Sequence, residues 1–274
     1  WSSDVCSSDL YVSGHASLED LFVLKQFAGN TGGVTFGWRH REKPQPVATK
    51  FRIPAVDAPN LHGAKDLGFT TATSGPANIS GLKAAVDAGL VKLLYVIDSG
   101  PDGSLGETDW IVAARKAGKI QTLVVQGVLF TDLANAADIL LPGAAFVERD
   151  ATYTNMTGHV QGSSRALTPP GDALEDWMIL SRLSVVFGAN VAYTSSGAVR
   201  QAIAAELGAN PAYAALATMV FSRPVSAKHW LQASNPSERW KWDFMFQDLP
   251  PVKGHNVQME GAHPASVIPL KPVE

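Results

Sequence analysis

Cysteine is nearly missing from this chain, since Cys6 is the only one in 274 residues. Iron-sulfur clusters are held by several thiolates, so the chain cannot ligate one by itself. A single cysteine also excludes a disulfide framework, which fits an intracellular protein. The scarcity of cysteine therefore removes one common redox centre and one common way of stabilising a fold.

Charge of either sign and long apolar runs are also scarce. The formal net charge is -3, without the basic stripe that is typical of nucleic-acid binding. No run of about eighteen apolar residues marks a membrane span. The seven histidines show no paired spacing typical of metal ligands. We therefore predict no nucleic-acid partner, no direct membrane span and no metal site, in a chain whose composition is that of a globular protein.

The first ten residues are foreign to the rest of the chain. Read codon for codon, Trp1 to Leu10 correspond to a sequencing-library adapter, and they lack the basic region and apolar core of a targeting signal. We predict that residues 1–10 are a non-native leader, and we exclude them from the prediction of the fold. Cys6 lies inside this leader, and we expect the parent protein to be longer at its amino end.

A regular alternation of helices and apolar segments begins at Gly81. It predicts helices at 81–89 and 107–117, a helical turn at 131–136, and strands at 92–97, 121–126 and 138–141. Earlier in the chain, a capped helix at 17–28 and a strand at 34–38 precede an irregular segment at 39–80. Apolar strands that alternate with helices are typical of parallel strands buried on both faces. The predicted fold class is therefore α/β, with a doubly wound and mostly parallel sheet.

The pattern changes twice towards the carboxyl end. Residues 11–190 are predicted to form the α/β domain, which includes a helix after a capping signal at Asp172 to Glu175. Residues 191–222 are predicted to be a helical extension with a helix at 196–207. Residues 223–274 are rich in proline and in tryptophan, and are predicted to be an extended tail whose aromatic side chains need a covering surface.

Two polar loops follow the predicted strands, where ligands usually bind in sheets of this kind. The loop from Asp98 to Gly103 follows a strand, but lacks the G-x-G-x-x-G spacing of a phosphate-binding loop, which favours an ordinary turn. The run Glu148-Arg149-Asp150 can be interpreted as an acid-base cluster or as a solvated or salt-bridged loop. We favour the structural interpretation of both loops.

The segment at 137–161 carries the most informative pattern. Its key positions are Ala137, Asp138, Pro142, Glu148, Thr152, Tyr153, Asn155, Gly158 and Gln161. This pattern resembles the molybdopterin oxidoreductase superfamily, and is most similar to the branch formed by the large iron-sulfur subunit of the NADH-quinone oxidoreductase, complex I. The resemblance covers about residues 11–187 and is sharpest between about 92 and 182.

The resemblance implies a molybdopterin oxidoreductase-like domain from the carboxyl-terminal part of such a subunit. In this family the complex passes electrons from NADH through iron-sulfur clusters to quinone. The clusters are expected in the amino-terminal part, which is missing here. We therefore expect the fragment alone to be inactive and to contain no catalytic residue.

Three departures from the family pattern concern the pterin cofactor. Gly127 stands where relatives usually carry an acidic residue that contacts the guanine of the cofactor, and Ala151 stands where they prefer glycine. His159 replaces an arginine, and lacks its permanent charge and bidentate geometry. We predict that the fragment binds no cofactor.

If a pterin site survives, the candidate residues are Ser99, Asn155, His159 and Gln161. Asn155 and Gln161 have another explanation, because such side chains often satisfy the backbone groups of their own loop.

The predicted function is a scaffold in the large iron-sulfur subunit of an NADH-quinone oxidoreductase. The implied partners are the other subunits of the peripheral arm, in the cytoplasm and attached to the inner membrane through the complex. One alternative is a fragment of a molybdopterin-dependent oxidoreductase similar to formate dehydrogenase. A second alternative is a non-enzymatic interaction module.

Overall fold

The computed structural model describes residues 7–31, 35–39, 58–69, 79–101, 103–188 and 191–219. The strands are β1 (Ser7–Ser13), β2 (Thr35–Arg39), β3 (Val91–Asp98), β4 (Thr122–Gly127), β5 (Ile139–Pro142), β6 (Ala151–Thr154) and β7 (Val160–Ser163). The helices are α1 (Leu18–Thr31), α2 (Leu61–Asp66), α3 (Ile79–Asp87), α4 (Asp109–Lys116), α5 (Asp132–Asn135), α6 (Asp176–Val186), α7 (Ser196–Leu207) and α8 (Pro211–Ala214). Short 3₁₀ turns lie at Phe146–Glu148 and Ala215–Thr218.

Five strands form one parallel sheet in the order β2-β1-β3-β4-β5. Successive strands are joined by helices, as parallel pairing requires. The order reverses between β1 and β3, so the carboxyl ends of these two strands form a topological switch point. The predicted α/β class and the parallel sheet are confirmed.

Both faces of the sheet are covered by helices. Tyr95 and Ile97 of β3 pack into a core with side chains of α1, α6 and α7. Leu94 and Val96, which alternate with them, pack into a second core with side chains of α3, α4 and α5. Alternate residues of one strand are thus buried on opposite faces, as a doubly wound sheet requires.

Most predicted elements lie within two residues of their observed bounds, but four parts differ. The irregular segment at 39–80 contains the short helix α2, and α1 continues to Thr31 instead of ending at residue 28. An antiparallel hairpin of β6 and β7 occupies a polar segment for which the sequence pattern predicts no strand. Helix α6 begins at Asp176, so the signal at Asp172 does not start it.

Strand β5 lies at the edge of the sheet and is less buried than its apolar sequence indicates. Val124 of β4 pairs with Ile139 of β5, and Val124 is only 8% exposed. Ile139 is 49% exposed. The prediction that both strands are buried on two faces is therefore correct for β4 and wrong for β5.

Residues on either side of the predicted α/β domain, which spans 11–190, are also part of its sheet and core. Strand β1 begins at Ser7, inside the predicted non-native leader, and Ser7 pairs with Val91. Backbone pairing needs no particular side chain, so foreign residues can extend a strand. The origin of residues 1–10 stays a prediction. Helices α7 and α8 contribute Val199, Ile203 and Tyr213 to the core of α1, so residues 191–219 pack against the α/β domain.

The predicted tail at 223–274 lies outside the described residues. Within the described ranges, every helix is too short or too polar to cross a lipid bilayer.

Candidate functional site

The carboxyl ends of β3 and β4 meet around one buried carboxylate, that of Asp176 at the start of α6. Ser99, directly after β3, donates from Oγ to Asp176 Oδ2 at 2.7 Å. Gln126, near the end of β4, donates from Nε2 to Asp176 Oδ1 at 2.6 Å. A protein side chain thus connects the two strand ends at the place where ligands usually bind in such sheets.

Arg149 lies beside Asp176 and is also buried. Its Nη1 donates to Asp176 Oδ2 at 2.8 Å and to Asp20 Oδ2 at 2.9 Å. The side chains of all three residues are at most 2% exposed. Charged groups are buried only when they are paired, because removal from water is otherwise very costly. For Arg149, the interpretation of the charged loop as salt-bridged is confirmed.

Asp20 connects two helices at their amino ends. It forms the predicted capping box of α1, in which the Ser17 backbone N donates to Asp20 Oδ2 at 2.8 Å and the Asp20 backbone N donates to Ser17 Oγ at 3.1 Å. The Trp177 backbone N, in the first turn of α6, donates to Asp20 Oδ1 at 2.9 Å. A carboxylate is favourable at a helix amino end, so Asp20 stabilises α1 and α6 together.

Glu19 extends the same polar network towards the hairpin and α7. Its Oε2 accepts hydrogen bonds from the Thr152 backbone N at 2.9 Å and from Thr152 Oγ1 at 3.0 Å. Its Oε1 accepts from Arg200 Nη1 at 3.2 Å. We call Glu19, Asp20, Arg149, Asp176 and Arg200 the buried ionic network, and its members come from α1, α6, α7 and the loop before β6.

The network contains three carboxylic acids and two guanidinium groups, so full ionisation would leave one uncompensated negative charge. Burial raises the pKa of Glu19 to about 7. Burial, followed by the nearby Asp20 charge, raises the pKa of Asp176 to about 6. Arginine stays protonated at any relevant pH. The network therefore holds a carboxyl proton up to nearly neutral pH.

This proton predicts a pH dependence of stability. The pKa of Glu19 is raised from 4.5 to about 7, so in this range the folded protein keeps a proton that the unfolded chain has released. Stability therefore falls as pH rises through this window, on the order of 3 kcal/mol for Glu19 alone. Urea unfolding of the wild type at about pH 5 and about pH 8 measures the loss.

The Glu19→Gln variant tests the assignment, because glutamine cannot release this proton. We expect a smaller loss of stability between the two pH values, with the remainder due to Asp176. Glu206→Gln is the control, since Glu206 pairs with Lys25 at the surface. An unchanged pH dependence in Glu19→Gln would mean that other groups cause it.

The four candidate pterin residues occupy two different environments. Ser99 is buried and its hydroxyl binds Asp176. Asn155 and His159 lie in the turn of the β6–β7 hairpin, and Gln161 lies in β7. Asn155 Oδ1 accepts from the His159 backbone N at 3.0 Å, and Asn155 Nδ2 donates to Gln161 Oε1 at 3.1 Å. The interpretation that Asn155 satisfies backbone groups of its loop is confirmed. Any contact of these residues with a pterin stays a prediction.

Other residues of the 137–161 pattern also have structural contacts. Asp138 accepts from Arg115 Nε at 2.8 Å and from the Leu123 backbone N at 2.7 Å, which fixes the start of β5. Glu148 accepts from the Ala145 backbone N at 2.9 Å. Gly158 has a φ of 81°, in the left-handed region that favours glycine. Many residues of the pattern therefore stabilise the backbone conformation of the loop after β5 and of the β6–β7 hairpin.

The loop after β3 is filled by side chains of the protein. A Cβ atom on Gly100 would lie 2.6 Å from Ser104 Oγ and 2.8 Å from His15 Cγ. Ser104 in turn donates to Asp98 Oδ1 at 2.8 Å. Position 100 must be glycine because Ser104 and His15 pack directly against its backbone. These side chains fill the space that a phosphate would need, which supports the interpretation of the loop as an ordinary turn.

A separate cleft of about 450 Å³ opens at the carboxyl ends of β4 and β5. It is lined by Gly127, Val128, Leu129, Phe130, Leu140, Pro142, Gly143, Ala145, Glu148, Pro170 and Ala173. Glu148 is the one charged residue among the described residues of this lining. The cleft is therefore mostly apolar, and at Gly127 it has only backbone to offer a ligand.

Most of the buried ionic network could not be found from the sequence. The pattern S-x-x-D identified Asp20 only as a helix cap, and Arg149 only as part of a charged loop. Glu19, Asp176 and Arg200 carried no signal, because their partners are distant in the sequence. Within the described ranges, no three His, Cys, Asp or Glu side chains are grouped in a way that could hold a metal ion.

The fold and this site define a doubly wound α/β domain, in which protein side chains fill the strand ends next to the switch point. Residues 12–186 match the family described as Molybdopterin oxidoreductase. The chain belongs to this family, and the resemblance predicted from the 137–161 pattern is confirmed.

Several curated relatives match shorter parts of the chain. It is 38% identical over 98 residues to an F420-dependent formate dehydrogenase alpha subunit of Methanocaldococcus jannaschii, which is 36% of this chain and 14% of that protein. It is 47% identical over 62 residues to the NADH-ubiquinone oxidoreductase 75 kDa subunit of Reclinomonas americana, which is 23% of this chain and 9% of that protein. The NADPH-Fe(3+) oxidoreductase subunit alpha of Geobacter sulfurreducens is 33% identical over 131 residues, 48% of this chain and 15% of that protein. The matches thus span 15% or less of the length of these relatives.

Proposed function

We propose that this chain is a non-catalytic scaffold domain in the large iron-sulfur subunit of an NADH-quinone oxidoreductase. In this proposal the domain supports electron transfer from NADH to quinone without ligating a redox centre. The iron-sulfur clusters belong to a preceding part of the subunit. The partners are the other subunits of the peripheral arm, in the cytoplasm and attached to the inner membrane through the complex.

The buried ionic network is the observation that carries this proposal. Arg149 and Asp176 occupy the strand ends where the fold would otherwise hold a ligand, and Ser99 and Gln126 direct their polar groups to Asp176. A pterin nucleotide has phosphates and a polar base, which need donors and acceptors that are free to contact them. The residues described at the strand ends beside the switch point do not fit such a group, because they bind one another.

The similarity to the 75 kDa subunit supports the choice of complex. Its identity of 47% is the highest among the three relatives, although it covers only 62 residues. The structural contacts of the 137–161 pattern agree with a scaffold, because they stabilise a loop and a hairpin without requiring a ligand. The respiratory role is thus proposed for the whole complex and the scaffold role for this domain.

A second candidate is a molybdopterin-dependent oxidoreductase similar to formate dehydrogenase. The similarity to a formate dehydrogenase alpha subunit over 98 residues favours it, as does the open cleft at Gly127. In that case the cofactor would have to be held mainly by other parts of the polypeptide.

Metal and pterin analysis of the full-length subunit separates the two candidates. The subunit is produced in a host that matures molybdopterin enzymes, beside a formate dehydrogenase alpha subunit as the positive control. We expect iron in the purified subunit but no stoichiometric molybdenum, tungsten or pterin. Stoichiometric molybdenum or tungsten together with pterin would overturn the scaffold proposal.

A further inference from the structure

The cleft at the ends of β4 and β5 is surrounded by exposed apolar side chains. Phe130 is 84% exposed, Leu129 48% and Leu140 38%, and all three line the cleft. Phe146, between the cleft-lining Ala145 and Glu148 in the sequence, is 67% exposed. We call Leu129, Phe130, Leu140 and Phe146 the β5 patch. Exposed apolar side chains that line one cleft, as Leu129, Phe130 and Leu140 do, often mark an interaction site.

The position of the β5 patch on the sheet also favours protein binding. It includes Leu140 of the edge strand β5, and exposed apolar side chains on an edge strand are places where another protein segment can pack. The carboxyl end of β5 is already paired within the chain, because the Leu174 backbone N donates to Pro142 O at 3.2 Å. The neighbouring cleft provides a concave apolar space for a side chain of a partner. A large apolar anchor that enters such a space is the usual centre of a protein interface.

Acidic residues accompany the β5 patch. Asp132, two residues after Phe130, and Asp172, next to the cleft-lining Ala173, are both exposed. The third acidic residue, Glu148, lines the cleft itself. The segments 127–148 and 166–175 contain no lysine or arginine. Of the two arginines that adjoin them, Arg149 is buried in the ionic network and Arg165 is half-buried near Glu175. A partner that complements this surface therefore carries positive charge beside its apolar anchor.

We infer that the β5 patch docks a segment of a partner subunit in which an aromatic or aliphatic side chain lies next to a lysine or arginine. The apolar side chain enters the cleft, and the basic side chain faces Asp132, Asp172 or Glu148. This inference rests on the proposed scaffold function and names the chemistry of its partner. The three relatives are all named as subunits, which agrees with a partner on another polypeptide.

Site-specific cross-linking in the native complex tests this docking. A photoreactive p-benzoylphenylalanine replaces Phe130 in the full-length subunit, and cross-linked peptides are identified by mass spectrometry. Met156 is the matched control position, because it is 65% exposed and lies in the hairpin turn. We expect position 130 to cross-link to one peptide of another subunit, with an apolar residue beside lysine or arginine. Position 156 should not reach that peptide.

Charge reversal tests the electrostatic part of the inference. Asp132→Lys combined with Asp172→Lys should lower the yield of the cross-link roughly tenfold or more, because like charges then face each other. Glu107→Lys combined with Asp109→Lys changes the charge equally at other exposed positions and should leave the yield unchanged.

Three outcomes would overturn the inference: a cross-link within the same polypeptide, no protein cross-link at position 130, or a yield that is insensitive to charge reversal at 132 and 172. Recovery of the intact complex with each variant shows that the subunit has folded. Stoichiometric molybdenum or tungsten together with pterin would overturn the scaffold proposal, whereas these three outcomes concern only the β5 patch.

Discussion

Replacement of Arg149 by methionine is expected to lower the free energy of unfolding by about 3–5 kcal/mol. Methionine fills a similar space, but it leaves Asp20 and Asp176 as buried carboxylates without their shared cation. Such orphaned charges are far more costly than the loss of an exposed ion pair. Urea unfolding of the chain, followed by circular dichroism, measures the change.

Two further variants make the Arg149 experiment specific. Arg115→Met removes the Arg115–Asp138 ion pair, whose side chains are partly exposed, and should have a much smaller effect. The double variant Arg149→Met with Asp176→Asn should be more stable than Arg149→Met alone, because one orphaned charge is removed. A loss for Arg149→Met that is as small as that for Arg115→Met would contradict the network.

Replacement of Val124 by aspartate is expected to destabilise the chain by roughly 4 kcal/mol or more. Val124 lies in β4 and contributes to the apolar core on the side of α1 and α6. The buried arginines described on that side, Arg149 and Arg200, are already paired with carboxylates of the ionic network. The aspartate must therefore be buried unpaired or take up a proton. Thermal and urea unfolding both measure the effect.

Ile139→Asp is the matched control for Val124→Asp. Ile139 pairs with Val124 in the neighbouring strand, but it is half-exposed at the sheet edge. Its aspartate can reach water, so we expect a loss of about 1 kcal/mol. Equal losses in both variants would show that β5 is covered as fully as β4.

The parallel sheet could be predicted from the sequence because its signals are local. Each strand is a short apolar run between turn residues, and the helices between the strands have their own periodicity. The difference between Val124 and Ile139 could not be predicted in this way, since both belong to similar apolar runs. Whether a strand has a neighbour on each side depends on the order of strands in space.

The hairpin and the start of α6 could not be predicted for another reason. Thr152 and Thr154 of β6 are buried polar residues, held by Glu19 and by Asn60 Oδ1, which accepts from the Thr154 backbone N at 2.8 Å. A strand stabilised by such contacts has no apolar alternation that a sequence could reveal. Helix α6 is capped by Asp20, 157 positions away from Trp177, and not by a residue of its own segment.

The pterin candidates were chosen by similarity, and the structure shows local contacts for them that the similarity did not indicate. Ser99 binds Asp176, and Asn155 organises a turn. The sequence identified which positions are constrained. The geometry supplied the reason for the constraint, which in these cases is a contact within the protein.

The buried ionic network also sets the earliest point during synthesis at which this domain can finish folding. Arg149 lies 129 positions after Asp20, and Arg200 lies 181 positions after Glu19. As the chain leaves the ribosome, Glu19 and Asp20 emerge long before their cationic partners. Contacts of such long sequence separation form late and slow the folding of a domain. The ion pairs of α1 therefore cannot form until Arg149 and Arg200 have been synthesised. Until then, Glu19 and Asp20 are hydrated carboxylates.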